Sequence, residues 1–110
     1  MSPDPVGTTF AALADPTRRH VIRVLSAGEA VSATQLAREL PISRQAVTKH
    51  LTALAEAGLV ESSRHGRETR YRLTPGPLTD AAAWIDHVGA DWDSRLGRLK
   101  RHAGTRRPSP

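Results

Sequence analysis

The chain has 110 residues, which fits one small domain with a thin core. It has no cysteine, excluding a disulfide scaffold, a zinc–cysteine centre and a catalytic thiol together, and its few aromatics leave the core to Leu, Val, Ile and Ala. A net charge of +5 and a pI near 11.0 favour a polyanionic partner, either nucleic acid or an anionic membrane surface. No apolar run approaches the ~20 residues of a membrane span. The opening "MSPDPVGTTF" lacks the basic and apolar regions of a secretory signal, so a cytoplasmic protein is expected.

Residues 1–7, with two prolines and a glycine, are expected to form a flexible arm. A short helix should start at Thr8 or Thr9, with Phe10, Leu13 and Ala14 on one side. Asp15 then caps a second helix with Pro16 in its first position. Val21, Ile22 and Leu25 make that helix's apolar face, Val24 lies beside it, and Gly28 ends it. Ser32 and Gln35 form a capping box for a third helix, whose Leu36, Ala37 and Leu40 point inward. Pro41 stops it, Ile42 plugs the turn, and Ser43 caps a fourth helix running to about Ala57. Two short helices meeting at so tight a turn make a helix-turn-helix.

Beyond Gly58 the period changes to two. "LVESSRH" and "ETRYRLT" read as strands joined at Gly66, with Thr69, Tyr71 and Leu73 on one face and Glu68, Arg70 and Arg72 on the other. Pro77 opens a long final helix. Leu78, Ala82, Ile85, Gly89, Trp92, Leu96 and Leu99 recur at alternating spacings of four and three, a heptad seam. Its acidic residues, Asp80, Asp86, Asp91 and Asp93, precede its basic ones, Arg95, Arg98, Lys100 and Arg101, which suits the helix dipole. Residues 103–110 read as a disordered basic tail, with Arg106 and Arg107 either attracting DNA non-specifically or simply solvated. The expected fold is mainly α with a small β-hairpin: about five helices and a two-stranded wing across residues 8–102.

The fourth helix carries the chemistry. Val47, Leu51 and Leu54 form its inward stripe, continued by Leu59 after the turn. Arg44, Gln45, Thr48, Lys49 and His50 remain as candidate base-reading residues, with Thr52 one turn further on. Arg and Lys can donate to guanine O6 and N7, Gln can pair with adenine, and a Thr methyl can touch thymine. Ser43 and the hairpin residues Arg64, His65, Arg67 and Arg70 are candidate phosphate contacts. The plainer alternatives are a solvated polar helix and a solvated hairpin. The short preceding helix, the Pro-Ile turn, the serine cap and the basic hairpin together favour the DNA reading.

These stretches, "FAALADPTRRHVIRVL", "ATQLARELPISRQAVTKHLTALAEAGLVESSRHGRETRYRLT" and the final helix, resemble the ArsR/SmtB-type bacterial winged helix-turn-helix transcriptional regulators over about residues 8–102. The resemblance implies a homodimeric repressor on a roughly palindromic double-stranded operator, blocking RNA polymerase until a signal releases it. It implies dimer contacts through the first and last helices, here Phe10, Leu13, Leu78, Ile85, Trp92, Leu96 and Leu99. Metal-sensing members often carry a cysteine pair on the helix before the recognition helix. That helix here, "ATQLAREL", has none, so no cofactor or metal is expected.

Asp86, His87, Asp91, Asp93 and His102 could ligate a metal, with His87 and Asp91 one turn apart. Acidic residues early in a helix are equally explained by its dipole. His20 reads as a surface residue, and His50 as one that packs near DNA or touches it. Trp84 and Trp92 read as dimer packing, with a small-molecule pocket as the alternative. The inducer is left unknown. A protein-interaction module without a DNA role would carry a neutral or acidic recognition face, and an enzyme would need a nucleophile–base pair or phosphate loop that is not evident here.

Overall fold

Two Asp-Pro pairs start the first two helices. Asp4 caps α1 (Pro5–Leu13), its carboxylate accepting from the Gly7 amide at 3.0 Å. Asp15 repeats the device for α2 (Pro16–Leu25), accepting from the Thr17 and Arg18 amides at 2.7 and 3.2 Å. Proline fits the first turn because amides there have no intrahelical acceptor. The structure, a computed structural model, describes residues 4–103. Residues 1–3 of the expected arm and residues 104–110 of the expected tail, with Arg106 and Arg107, lie outside the described residues. Residues 5–7, expected in the arm, are helical, because Asp4-Pro5 is the same starting signal as Asp15-Pro16.

The inward face of α1 also differs from the expected one. Thr9 and Ala12 are buried, Leu13 is half-buried, Phe10 is exposed, and Ala14 is the exposed C-cap. Thr9 tolerates burial because its hydroxyl donates to the Pro5 carbonyl at 3.0 Å. The second helix ends at Leu25, ahead of Gly28.

Ser32 and Gln35 form the reciprocal capping box of α3 (Ala33–Glu39), with bonds of 3.1 and 2.8 Å. After the turn through Pro41 and Ile42, Ser43 caps α4 (Arg44–Glu56), its hydroxyl accepting from the Ala46 amide at 3.1 Å. Gly58, at φ +77°, closes that helix in the left-handed region, and the Leu59 amide turns back to the Leu54 carbonyl at 2.9 Å. Leu25, Leu36, Val47, Leu51, Leu54, Leu59 and Val21 are fully buried in one cluster. Burying each such side chain contributes about 1.5–3 kcal/mol.

The sheet has three antiparallel strands in the order β1-β3-β2, one more than the expected wing. Strands β2 (Val60–His65) and β3 (Glu68–Leu73) form the hairpin, from Val60 opposite Leu73 to His65 opposite Glu68, with Gly66 at φ +65° in the turn. The added strand β1 (Val31–Ser32) pairs Val31 with Tyr71 and Ser32 with Arg70. It ties the base of the wing to the start of α3. Two residues are too few to display an alternating pattern.

The last helix, α5 (Gly76–Ala103), runs 28 residues, about 42 Å at 1.5 Å per residue. It packs on α1. Ala81 is buried and Leu78 packs against the core, whereas Ala82, one position off, is exposed. Phe10 meets Trp84 edge-to-face with ring centroids 5.7 Å apart. The radius of gyration is 19.8 Å, well above the ~13 Å of a compact domain of about 100 residues, because α5 extends beyond the core.

Candidate nucleic-acid interface

Core burial of Val47, Leu51 and Leu54 fixes the rotation of α4. Arg44, Gln45, Thr48, Lys49 and Thr52 are all exposed. The Thr48 hydroxyl donates to the Arg44 carbonyl, and that of Thr52 to the Thr48 carbonyl, each at 3.0 Å. With their protons engaged along the helix, these hydroxyls present oxygen lone pairs as acceptors.

Arg44 and Thr48 also line a groove of about 580 Å³ that continues onto the wing, where His65, Arg67 and Arg70 contribute, and onto the start of α3 through Ser32 and Thr34. The first turns of α3 and α4, the helix face and the wing thus form one polar concavity. Within the wing, the Arg64 Nε donates to the Gly66 carbonyl at 3.3 Å, and His65 Nε2 lies 3.0 Å from the Ser63 hydroxyl. Arg70 is ion-paired with Glu68 at 2.6 Å, and Arg72 with Glu61 at 3.4 Å. Both pairs are well exposed, and exposed pairs are worth at most about 1 kcal/mol, so Glu68 is a weak competitor for a phosphate at Arg70. Arg67, at the hairpin tip, is exposed.

His50 does not share the outward face. It is half-buried on the flank of α4 that meets α2, where its Nδ1 accepts from Arg18 Nε at 3.4 Å. Arg18 and Thr34 join the site from α2 and α3, and neither was among the candidates read from the sequence. Thr34 stood in plain view beside the Ser32 cap. Arg18 lies 32 positions from His50, so no local pattern links them. The Asp15 carboxyl is held below its ordinary pKa mainly because it accepts from the Arg18 amide; partial burial opposes this and the Thr17 amide adds to it.

Among the described residues, the six large apolar side chains left exposed all lie on α1 and α5: Phe10, Trp84, Ile85, Val88, Trp92 and Leu99, between 37% and 58% exposed. Among the expected interface residues, Leu13 and Leu78 pack on their own core and Leu96 is half-buried. Val88 joins the stripe without having been part of the expected seam. His20 is exposed near Pro16, Arg19 and Arg23. On α5, His87 Nε2 lies 3.7 Å from Asp91 Oδ2, and both are highly exposed. Asp86 and Asp93 are exposed as well, and the His102 side chain lies outside what is described. Among the described residues no three potential metal ligands gather, and no helix is long and apolar enough to cross a membrane.

A family profile described as a helix-turn-helix domain matches residues 13–63, which span α2 through most of β2. The transcriptional repressor SdpR of Bacillus subtilis is 30% identical over 73% of this chain and 88% of its own. An ArsR-like transcriptional regulator from Rhodococcus sp. RHA1 superposes with a TM-score of 0.79 at 44% identity, covering 90% of this chain and 92% of that one. The homodimeric winged helix-turn-helix DNA-binding domain Mb0332 from Mycobacterium bovis, a possible ArsR-family regulator, gives a TM-score of 0.61 at 26% identity, covering 86% and 84% of the two chains.

Proposed function

This chain belongs to the ArsR family of winged helix-turn-helix transcriptional regulators, and we propose that two copies of it form a repressor on a roughly palindromic operator. The observation that carries this reading is the unbroken polar surface running from the outer face of α4 into the wing groove. Arg44, Gln45, Thr48 and Lys49 read base edges in the major groove. Ser43, Arg64, His65, Arg67 and Arg70 hold the phosphate backbone on either side. His50 supports this face from the flank rather than reaching a base.

Dimerisation uses the exposed apolar stripe of α5 together with the Phe10–Trp84 edge. Burying that stripe in a two-fold contact removes it from water on both protomers. The two-fold axis then sets the recognition helices about 34 Å apart, in successive major grooves. The dimeric state of Mb0332 supports this arrangement.

Fluorescence anisotropy tests the reading. A labelled duplex from upstream of the chain's own gene is compared with a scrambled duplex over a salt series. Tight binding to the first alone, with a steep log–log salt slope, supports a self-regulating repressor. Equal, weak, salt-sensitive binding to both leaves a basic surface and places the operator elsewhere. Binding to neither favours a protein-interaction module.

A further inference from the structure

A second groove lies on the other flank of α4, between that helix and α2. It is lined by Arg18, Lys49, His50, Thr52, Ala53 and Glu56, among others. Arg18 is half-buried there, and its Nε is engaged by His50 Nδ1 at 3.4 Å. The ring nitrogen accepts through its lone pair, and an imidazole carries no negative charge, so this bond orients the guanidinium without neutralising it. Among the described residues no carboxylate lies within ion-pair distance of the Arg18 guanidinium, and no protein acceptor takes its terminal nitrogens. Asp15, the cap of α2, accepts from the Thr17 and Arg18 amides through one oxygen, Oδ1, and makes no ion pair with the Arg18 guanidinium. Glu56 lines the same groove but forms no ion pair with Arg18.

A guanidinium carries five donors in a fixed fork. Here one is spent on the His50 ring, which holds the fork in place and has no negative charge to offset it. Arg18 lines the same groove as Lys49. Resting on the DNA-binding reading above, we infer that Arg18 is a phosphate contact of the protein–DNA interface and that His50 is its positioning residue. The ligand is a phosphodiester oxygen of the strand flanking the major groove on the α2 side. The wing grips one side of the recognition helix, and Arg18 grips the other. Such a contact is blind to sequence, so it acts on any duplex.

The test uses the full chain and a labelled mixed-sequence duplex at low salt, so no operator need be known. Arg18→Ala is expected to weaken binding roughly tenfold. It should also flatten the log–log salt slope by about 0.9 for each protomer that touches the duplex. Arg18→Lys keeps a charge and should retain most of the slope. His50→Ala leaves the guanidinium in place but unoriented, so affinity falls while the slope stays.

Melting temperatures of all variants are measured in parallel. A weakened Arg18→Ala with a lower melting temperature and an unchanged slope makes Arg18 a strut between helices and overturns the inference. So does unchanged binding by Arg18→Ala. Unchanged affinity in His50→Ala overturns the positioning role. If the wild-type chain binds no duplex at any salt, the DNA-binding reading itself falls, a result distinct from a failure of Arg18 alone.

Discussion

Replacing Trp92 by alanine removes the largest exposed apolar side chain in the middle of the α5 stripe. The indole is 52% exposed in the single chain and is not part of the core cluster. A tryptophan buries roughly 150–250 Å² when fully covered, so about half of that, on the order of 100 Å², is available to a partner. At about 25 cal/mol per Å², covering it yields roughly 2–3 kcal/mol per protomer. Two-fold symmetry doubles the loss and incomplete coverage reduces it, leaving about 3 kcal/mol, or roughly a 100-fold weaker dimer. Sedimentation velocity over a dilution series from high to low micromolar reads this directly. The far-ultraviolet circular dichroism of the variant should match that of the parent, because α5 is anchored to its own protomer at Leu78 and Ala81. An unshifted dimer constant with a normal spectrum would refute the assignment of this stripe to the interface.

Three further outcomes are expected. Arg44→Ala and Lys49→Ala should each cost about 1–3 kcal/mol of operator binding if they touch bases, measured by anisotropy. Equal losses on scrambled DNA would instead make them phosphate contacts. Gly58→Ala should destabilise the domain by roughly 1–2 kcal/mol in urea titration. The cost is conformational, since φ is +77° while the nearest atom to an added Cβ is Pro77 Cγ at 3.8 Å; a neutral result would mean the turn relaxes. Asp15→Asn keeps a capping oxygen and deletes the charge. Because the folded-state pKa of Asp15 is lowered, its charge stabilises the native state above the ordinary carboxylate pKa, and this is lost as pH falls through the lowered value. The parent should therefore exceed the variant in melting temperature near neutrality, with the gap closing in acid; a constant gap would count against an electrostatic origin.

Much of this architecture is written within four residues at a time. The capping box of Ser32 and Gln35, the Ser43 cap, the Asp15-Pro16 start and the Gly58 corner are local contacts, and each defines its boundary without help from the rest of the chain. The same holds for the inward stripe of α4, because one strongly apolar face leaves only one rotation for a helix on a core. Once Val47, Leu51 and Leu54 point in, Arg44, Gln45, Thr48 and Lys49 must point out.

Where a segment offers two acceptable faces, packing decides. The first helix buries Thr9 and Ala12 and turns Phe10 toward Trp84, since small residues let α1 approach the core closely. The last helix likewise buries Ala81 rather than Ala82. Strand β1 exists only because Val31 meets Tyr71, forty positions along, and Arg18 is joined to His50 only by the crossing of α2 and α4. Such contacts depend on where distant elements arrive, which hydrophobic closure of the whole core sets and no short window of sequence contains.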